Sequence, residues 1–179
     1  MPLQPDNINF LHNNKFQLNF AILPGITYFG TGVTLPGLTL PTADFPNPHA
    51  NIRIHGDTLQ FDDWLVTFNV DEELSSWFQI FDWMNGLGKP QNFQQFKSRK
   101  GKENLPKGVI LPTTENAALY SDATLLIQTS AKNPKIECHF VNISPTALGG
   151  VELTSQDNDT NVISATANFV YDYYTIDIN

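Results

Sequence analysis

Apolar and polar residues alternate along most of this chain. Phe16, Leu18, Phe20 and Ile22 share one parity, with Gln17, Asn19 and Ala21 on the other. That period of two predicts a half-buried strand, closed by Pro24-Gly25. Ile26 to Val33 reads as a second strand, with a bulge or strong twist where Gly30 and Gly32 fall. Leu35 to Leu40 follows, and Phe45-Pro46-Asn47-Pro48 reads as a turn or loop that cannot continue a ladder. Ile52 and Ile54 alternate with Asn51, Arg53 and His55 until Gly56-Asp57. Trp64, Val66, Phe68 and Val70 then line one side of a further strand.

After Val70 the period changes to about 3.6. Leu74, Trp77, Phe78, Phe81 and Met84 fall on one helical face, with Asp71 as cap and Glu72 and Glu73 in the first turn. Asn85-Gly86 and Gly88 end the helix, giving it an expected span of about 71–86 and making it the one substantial helix. Trp64, Leu74, Trp77, Phe78 and Phe81 are the residues expected to pack helix on sheet. Strands resume at Ala123 to Thr129 and Ile136 to Ile143. Val162 to Ile178 reads as one long closing strand, with Ile163, Ala165, Ala167, Phe169, Tyr171 and Tyr173 on one face. The sum is a mainly β chain: an antiparallel β-sandwich or barrel with one flanking α-helix, in a single domain over 1–179. Residues 89–120 form its long basic-to-polar loop.

Composition sharpens this. The 179 residues are 41% apolar, enough for a core, but only 16% charged, low against the usual quarter. Such a chain suits burial among partners. The net charge of −8 argues against gripping nucleic acid, because phosphate affinity comes from clustered Lys and Arg. Residues 89–107 are the exception, with six positive charges against Glu103 alone; setting this net +5 aside from −8 leaves −13. Lys97, Arg99, Lys100 and Lys102 are therefore expected to meet an acidic surface on a neighbouring molecule. The bland alternative is a solvated loop. The lone Cys138 excludes an intrachain disulfide. The N-terminus has neither the basic start nor the apolar run of a signal peptide, and no stretch approaches a membrane span, so no membrane insertion is expected.

Catalytic templates find no match. Neither a phosphate-binding Gly-rich loop before a helix nor a nucleophile elbow is present. His12, His49, His55 and His139 lack the i, i+4 spacing of a helical metal site. Asp62-Asp63 and Glu72-Glu73 could in principle supply paired carboxylates. Adjacent strand residues point to opposite faces, however, and acids in a first helical turn are explained by the helix dipole. Cys138 lies in a strand-like alternation with no cation nearby to lower its pKa. Trp64, Trp77, Phe78 and Phe81 sit on apolar faces, which favours core over a sugar-stacking platform. The reading is not an enzyme, with no cofactor and no metal. A carbohydrate-binding β-sandwich is the alternative from a different class.

The segment Asn51 to Trp83 resembles the tail tube proteins of contractile-tailed bacteriophages. Gly56, Asp57, Phe61, Asp62, Asp63, Trp64 and Val66 match the strand part of that family's pattern. Asp71, Glu72, Phe81, Asp82 and Trp83 match its helix part. Phe169-Val170-Tyr171-Asp172-Tyr173-Tyr174 resembles the family's closing aromatic strand, and Leu35 to Gly37 its Leu-Pro-Gly segment. The chain departs at Phe45 to Pro48 and over 89–120.

The resemblance implies a structural subunit whose copies form stacked, hexameric rings, a conduit for DNA ejection. Its implied partners are further copies of itself, the tail sheath, baseplate and tail terminator proteins, and phage DNA passing without specific binding. Its implied place is the virion, assembled in the host cytoplasm. A tube-initiating baseplate subunit and an injection-system inner tube share that fold and stay open. On this reading the polar alternates Asn51, Arg53, Thr166 and Asn168 are expected to face the lumen.

Overall fold

The structure, a computed structural model, describes residues 10–46, 49–88, 93, 94, 96, 119–129, 132–154 and 161–178. Seven strands form the main sheet: β1 (Phe16–Phe20), β2 (Gly30–Val33), β7 (Trp64–Asn69), β8 (Ser121–Gln128), β9 (Pro134–Leu148), β10 (Ser164–Val170) and β11 (Tyr173–Ile178). Every pairing in it is antiparallel, in the order β1-β8-β9-β10-β7-β2, with β11 also on β9. The fifteen-residue β9 divides the sheet into two limbs. Its first part pairs with β8 and β11, and its last part pairs with β10. The sheet is not closed into a barrel.

Two short ribbons stand apart from this sheet. Strands β3 (Leu38–Thr39) and β6 (Gln60–Phe61) pair with each other, as do β4 (Thr42–Pro46) and β5 (Asn51–His55). The expected turn at Phe45 to Pro48 is thus half strand, with Phe45 opposite Ile52 and Pro46 opposite Asn51. Pro46 is tolerated because it ends an edge strand, where no ladder donor is needed.

Trp64, Val66 and Phe68 from β7 are fully buried with Ala165, Ala167 and Phe169 from β10, as their shared parity requires. Leu18, Phe20, Leu125, Cys138 and Phe140 bring the other limb into the same core. Trp64 stacks on Phe140 at 4.0 Å between ring centroids and lies 5.3 Å from Phe20, so aromatic contacts join the two limbs.

Three expectations need correction. Pro24–Phe29 is a short helix, α1, and only Gly30–Val33 remains strand, with its register shift between Gly30 and Gly32. Proline at the first helical turn and a Thr27 hydroxyl near the Leu23 carbonyl favour that turn. The closing strand is two strands, broken at Tyr171-Asp172, because β10 belongs to one limb and β11 to the other. The long helix, α2, spans Ser75–Gly88 and starts later than expected.

Leu74 explains the late start of α2. Its φ of 55 is left-handed, so the helix cannot include it. Asp71 still caps from outside. Its carboxylate accepts from the backbone N–H and hydroxyl of Ser75, and from those of Ser76 at 3.0 and 2.7 Å. Burial opposes ionisation of Asp71, but the hydrogen bonds from Ser75 and Ser76 outweigh it and hold the carboxyl well below the usual carboxylate range. A lowered native pKa means that this stabilisation is complete above the unfolded value, near 4. It is lost as pH falls through the native value. Asp71→Ala is expected to cost about 1–2 kcal/mol at neutral pH. The gap to the unmodified protein should narrow in acid, as denaturant titrations at several pH values would show.

The delayed start shifts the phase of the helix. Its buried residues are Ser76, Ile80, Trp83 and Gly86. Trp77 and Met84 are half-buried at the flanks, whereas Leu74, Phe78 and Phe81 are exposed. Of the five residues expected to pack helix on sheet, Trp64 lies wholly in the core and those three face outward. Trp83 fills the central position instead, its indole N–H donating to the Leu119 carbonyl at 3.0 Å.

Candidate assembly surfaces

Between β2 and β7 the chain leaves the body as an arm. It pairs Leu38 with Phe61 and Thr39 with Gln60, then Thr42 with His55 through to Pro46 with Asn51. Opposed residues of an antiparallel pair share a face, so Ala43, Phe45, Ile52 and Ile54 make one apolar face. Thr42, Asp44, Pro46, Asn51, Arg53 and His55 make the other, where Arg53 meets Asp44 at 3.7 Å. Phe45 is 59% exposed, and Ile52 and Ile54 about half.

Two tyrosines fix the root of the arm. The Tyr171 hydroxyl donates to the Asp62 carbonyl at 2.9 Å, and the Tyr174 hydroxyl to the Pro36 carbonyl at 3.2 Å. Phe61 sits edge-on to both rings, each at 5.8 Å. Tyr171 and Tyr174 in turn pack on Phe140, next to Trp64. Burial, with the nearby charge of Tyr174, Asp62 and Asp63, pushes the Tyr171 phenol up to about 12. It therefore keeps its donor proton across the physiological range. The matched residues Phe61, Asp62 and Trp64 and the closing aromatic strand are, in three dimensions, one joint between arm and body.

Sheet edges form a second surface. In the limb ordered β1-β8-β9-β11, β1 pairs only with β8 and β11 only with β9 among the described residues. Strand direction alternates at every step, so β1 and β11 run antiparallel to each other. One end of β1 is occupied, since the Phe20 N–H donates to the Thr27 hydroxyl at 3.0 Å. The face of this limb turned away from the core carries Gln17, Asn19, Thr124, Glu137, His139, Thr175 and Asp177 in adjacent registers. His139 lies 3.6 Å from Glu137 and 3.7 Å from Asp177, and 3.2 Å from the Thr124 hydroxyl.

The residues singled out in the sequence do not form one surface. Asn51 and Arg53 lie on the polar face of the arm, whereas Thr166 and Asn168 lie on β10 in the other limb. Lys97, Arg99, Lys100 and Lys102, with the rest of the basic stretch from Lys97 to Lys107, fall outside the described residues. Sequence reasoning missed the arm, although the Ile52/Ile54 parity is the signal that marks its apolar side.

No family model matches the chain. It is 24% identical over 149 residues to the tail tube terminator protein of Enterobacteria phage T4, covering 81% of this chain and 74% of that protein. In three dimensions it superimposes on a chain of the anti-feeding prophage tube-terminating cap with a TM-score of 0.59. That match has 13% identity and 100% coverage of both chains. A chain of the six-fold symmetrised anti-feeding prophage baseplate gives 0.59 at 9% identity over 97% of each. The sheath–tube complex of an extracellular contractile injection system gives 0.58 at 14%, over 96% of this chain and 94% of that one. The fold is tail-tube-like.

Among the described residues, no group of three His, Cys, Asp or Glu side chains could hold a metal ion. Cys138 is fully buried, and that burial raises its thiol pKa. Trp64 and Trp83 are buried too, so neither offers a face to a sugar. No helix among the described residues is long and apolar enough to cross a membrane. What the tail-tube-like fold exposes instead is backbone edge and apolar ribbon.

Proposed function

We propose that this chain is a structural component of the inner tube of a contractile tail or injection particle. In this reading copies close a ring by laying β1 of one on β11 of the next. The carrying observation is the antiparallel phase of those two open edges, because adding β1 to β11 continues the strand alternation already present in the limb. An edge of unpaired backbone groups is a liability that such addition removes. A head-to-tail contact closes when the rotation per copy divides the circle. Six copies follow the six-fold symmetry of the anti-feeding prophage baseplate, which holds a structural neighbour.

In such a ring the core and α2 lie outside the limb, available to a sheath. The polar face turns to the bore. Glu137 and Asp177 then make an acidic wall, along which nucleic acid passes without adhering. The particle, a virion or an injection machine, is the expected location. A second reading, the end of the tube rather than its shaft, is favoured by the sequence match to a tail tube terminator.

Purified full-length chain, imaged by negative-stain electron microscopy over a range of concentrations, is expected to show hollow rings. A 20.0 kDa monomer at every concentration would overturn the reading.

A further inference from the structure

Strand β11 lies at an edge and has little to hold it. It pairs only with β9 among the described residues, and of its six side chains Tyr174 alone is not exposed. Ile176 and Ile178 share the parity of Tyr174 yet stand exposed. Apart from its backbone ladder, β11 is therefore pinned at one side chain, and the arm supplies part of that pin. The Tyr174 ring lies 5.3 Å from Phe140 in the core and 5.9 Å from Tyr171. It also lies 5.8 Å from Phe61 on β6, and its hydroxyl donates to the Pro36 carbonyl at 3.2 Å. Tyr171, at the break between β10 and β11, donates to the Asp62 carbonyl. The arm leaves the body at Pro36 and returns at Asp62, so each leg is held by one tyrosine of this turn. The Asp62 N–H, donating to the Gly37 carbonyl at 3.1 Å, ties the two legs together.

We propose that the arm governs the β11 edge of its own subunit through Tyr174. With the legs of the arm closed, Pro36 and Phe61 seat Tyr174, and β11 is held on β9. When the legs part, Tyr174 loses both partners and β11 frays from the sheet. An element with few buried contacts opens locally at low cost, so one anchoring side chain decides how often it does so. The coupling acts in both directions, because whatever orders β11 also steadies the arm. It is confined to one side of the limb. The opposite edge, β1, buries Leu18 and Phe20 and needs no such support. The coupling belongs to the isolated subunit and goes beyond the ring reading, in which strand addition uses the edge that the arm controls.

Amide hydrogen exchange on full-length chain, below assembly concentration, tests this. Thr39 and Gln60 are exposed and oppose each other across the legs of the arm. Directly opposed strand residues have the spacing a disulfide needs, so Thr39→Cys with Gln60→Cys can lock the legs. Cys138 is the chain's only cysteine and is buried, so it does not compete. Oxidation is expected to slow exchange of the amides of residues 175–178 several-fold, and reduction to restore it. Phe61→Ala should speed the same amides about tenfold, with those of β7 and β10 unchanged. Tyr174→Phe keeps the ring and loses only the hydroxyl, so about threefold is expected. Amides of β11 that ignore the disulfide, or a Phe61→Ala effect shared equally by β7 and β10, overturn the coupling and leave the ring reading standing. The expected responses in a chain that never forms rings support the coupling and overturn the ring.

Discussion

Replacing Trp83 by alanine is expected to cost about 3–5 kcal/mol, enough to unfold much of a marginally stable chain. The side chain is fully buried between α2 and the sheet, 6.4 Å from the Phe169 ring. Truncation leaves a large cavity and strips the Leu119 carbonyl of its buried donor. Phe78, five residues earlier on the same helix, is 58% exposed. Phe78→Ala should therefore change the stability of the isolated chain by no more than about 0.5 kcal/mol. Denaturant titration of both variants, at concentrations below assembly, checks the pair. Equal losses would mean that the phase of the helix is wrong.

That contrast shows what can be read from residues alone. The strands follow from a period of two, and Trp64, Val66 and Phe68 are buried just as their parity requires. The helix is also announced by its period, but not its orientation. Aromatic residues run around α2, and an apolar stripe drawn through Leu74, Phe78 and Phe81 is as regular as one through Ile80 and Trp83. Which one faces inward depends on the left-handed turn at Leu74 and on Ser76, a polar residue buried through its bonds to Asp71. Neither appears in a hydropathy pattern. The arm was hidden for a related reason. Its apolar side is legible in Ile52 and Ile54, but alternation does not say whether the cover comes from the same chain. Pro46 also masked its strand, because the rule against proline applies to ladders and not to the last residue of an edge. The joint between arm and body joins residues far apart in sequence, and only the fold shows that Phe61 and Tyr174 touch.

Gly149→Ala is expected to destabilise by about 1–3 kcal/mol, though it adds one methyl group. A Cβ there would come 2.8 Å from the Thr166 hydroxyl and 3.1 and 3.2 Å from its backbone O and N. Backbone cannot step aside as a flexible side chain can. The Gly149 N–H donates to the Thr166 carbonyl at 2.7 Å, and the Gly149 carbonyl accepts from the Trp77 indole at 3.0 Å. Moving this residue thus disturbs the end of β9, its neighbour β10 and the seat of α2 together. Gly150, with open space around its missing Cβ, is the control. Gly150→Ala should leave thermal unfolding nearly unchanged, while Gly149→Ala lowers the midpoint by several degrees.

The pairing of β1 with β8 sets an order of events. Strands β8 and β9 are close in sequence and share their register over most of β8, so they can meet early. β1 must find β8 across most of the chain, with Phe16 opposite Ile127. Non-local pairing of this kind is the slow step in β-rich folding. Until β1 arrives, β8 presents an open edge of the kind through which another copy's β1 could pair. Nascent chains at high concentration are therefore exposed to strand exchange before the limb is complete.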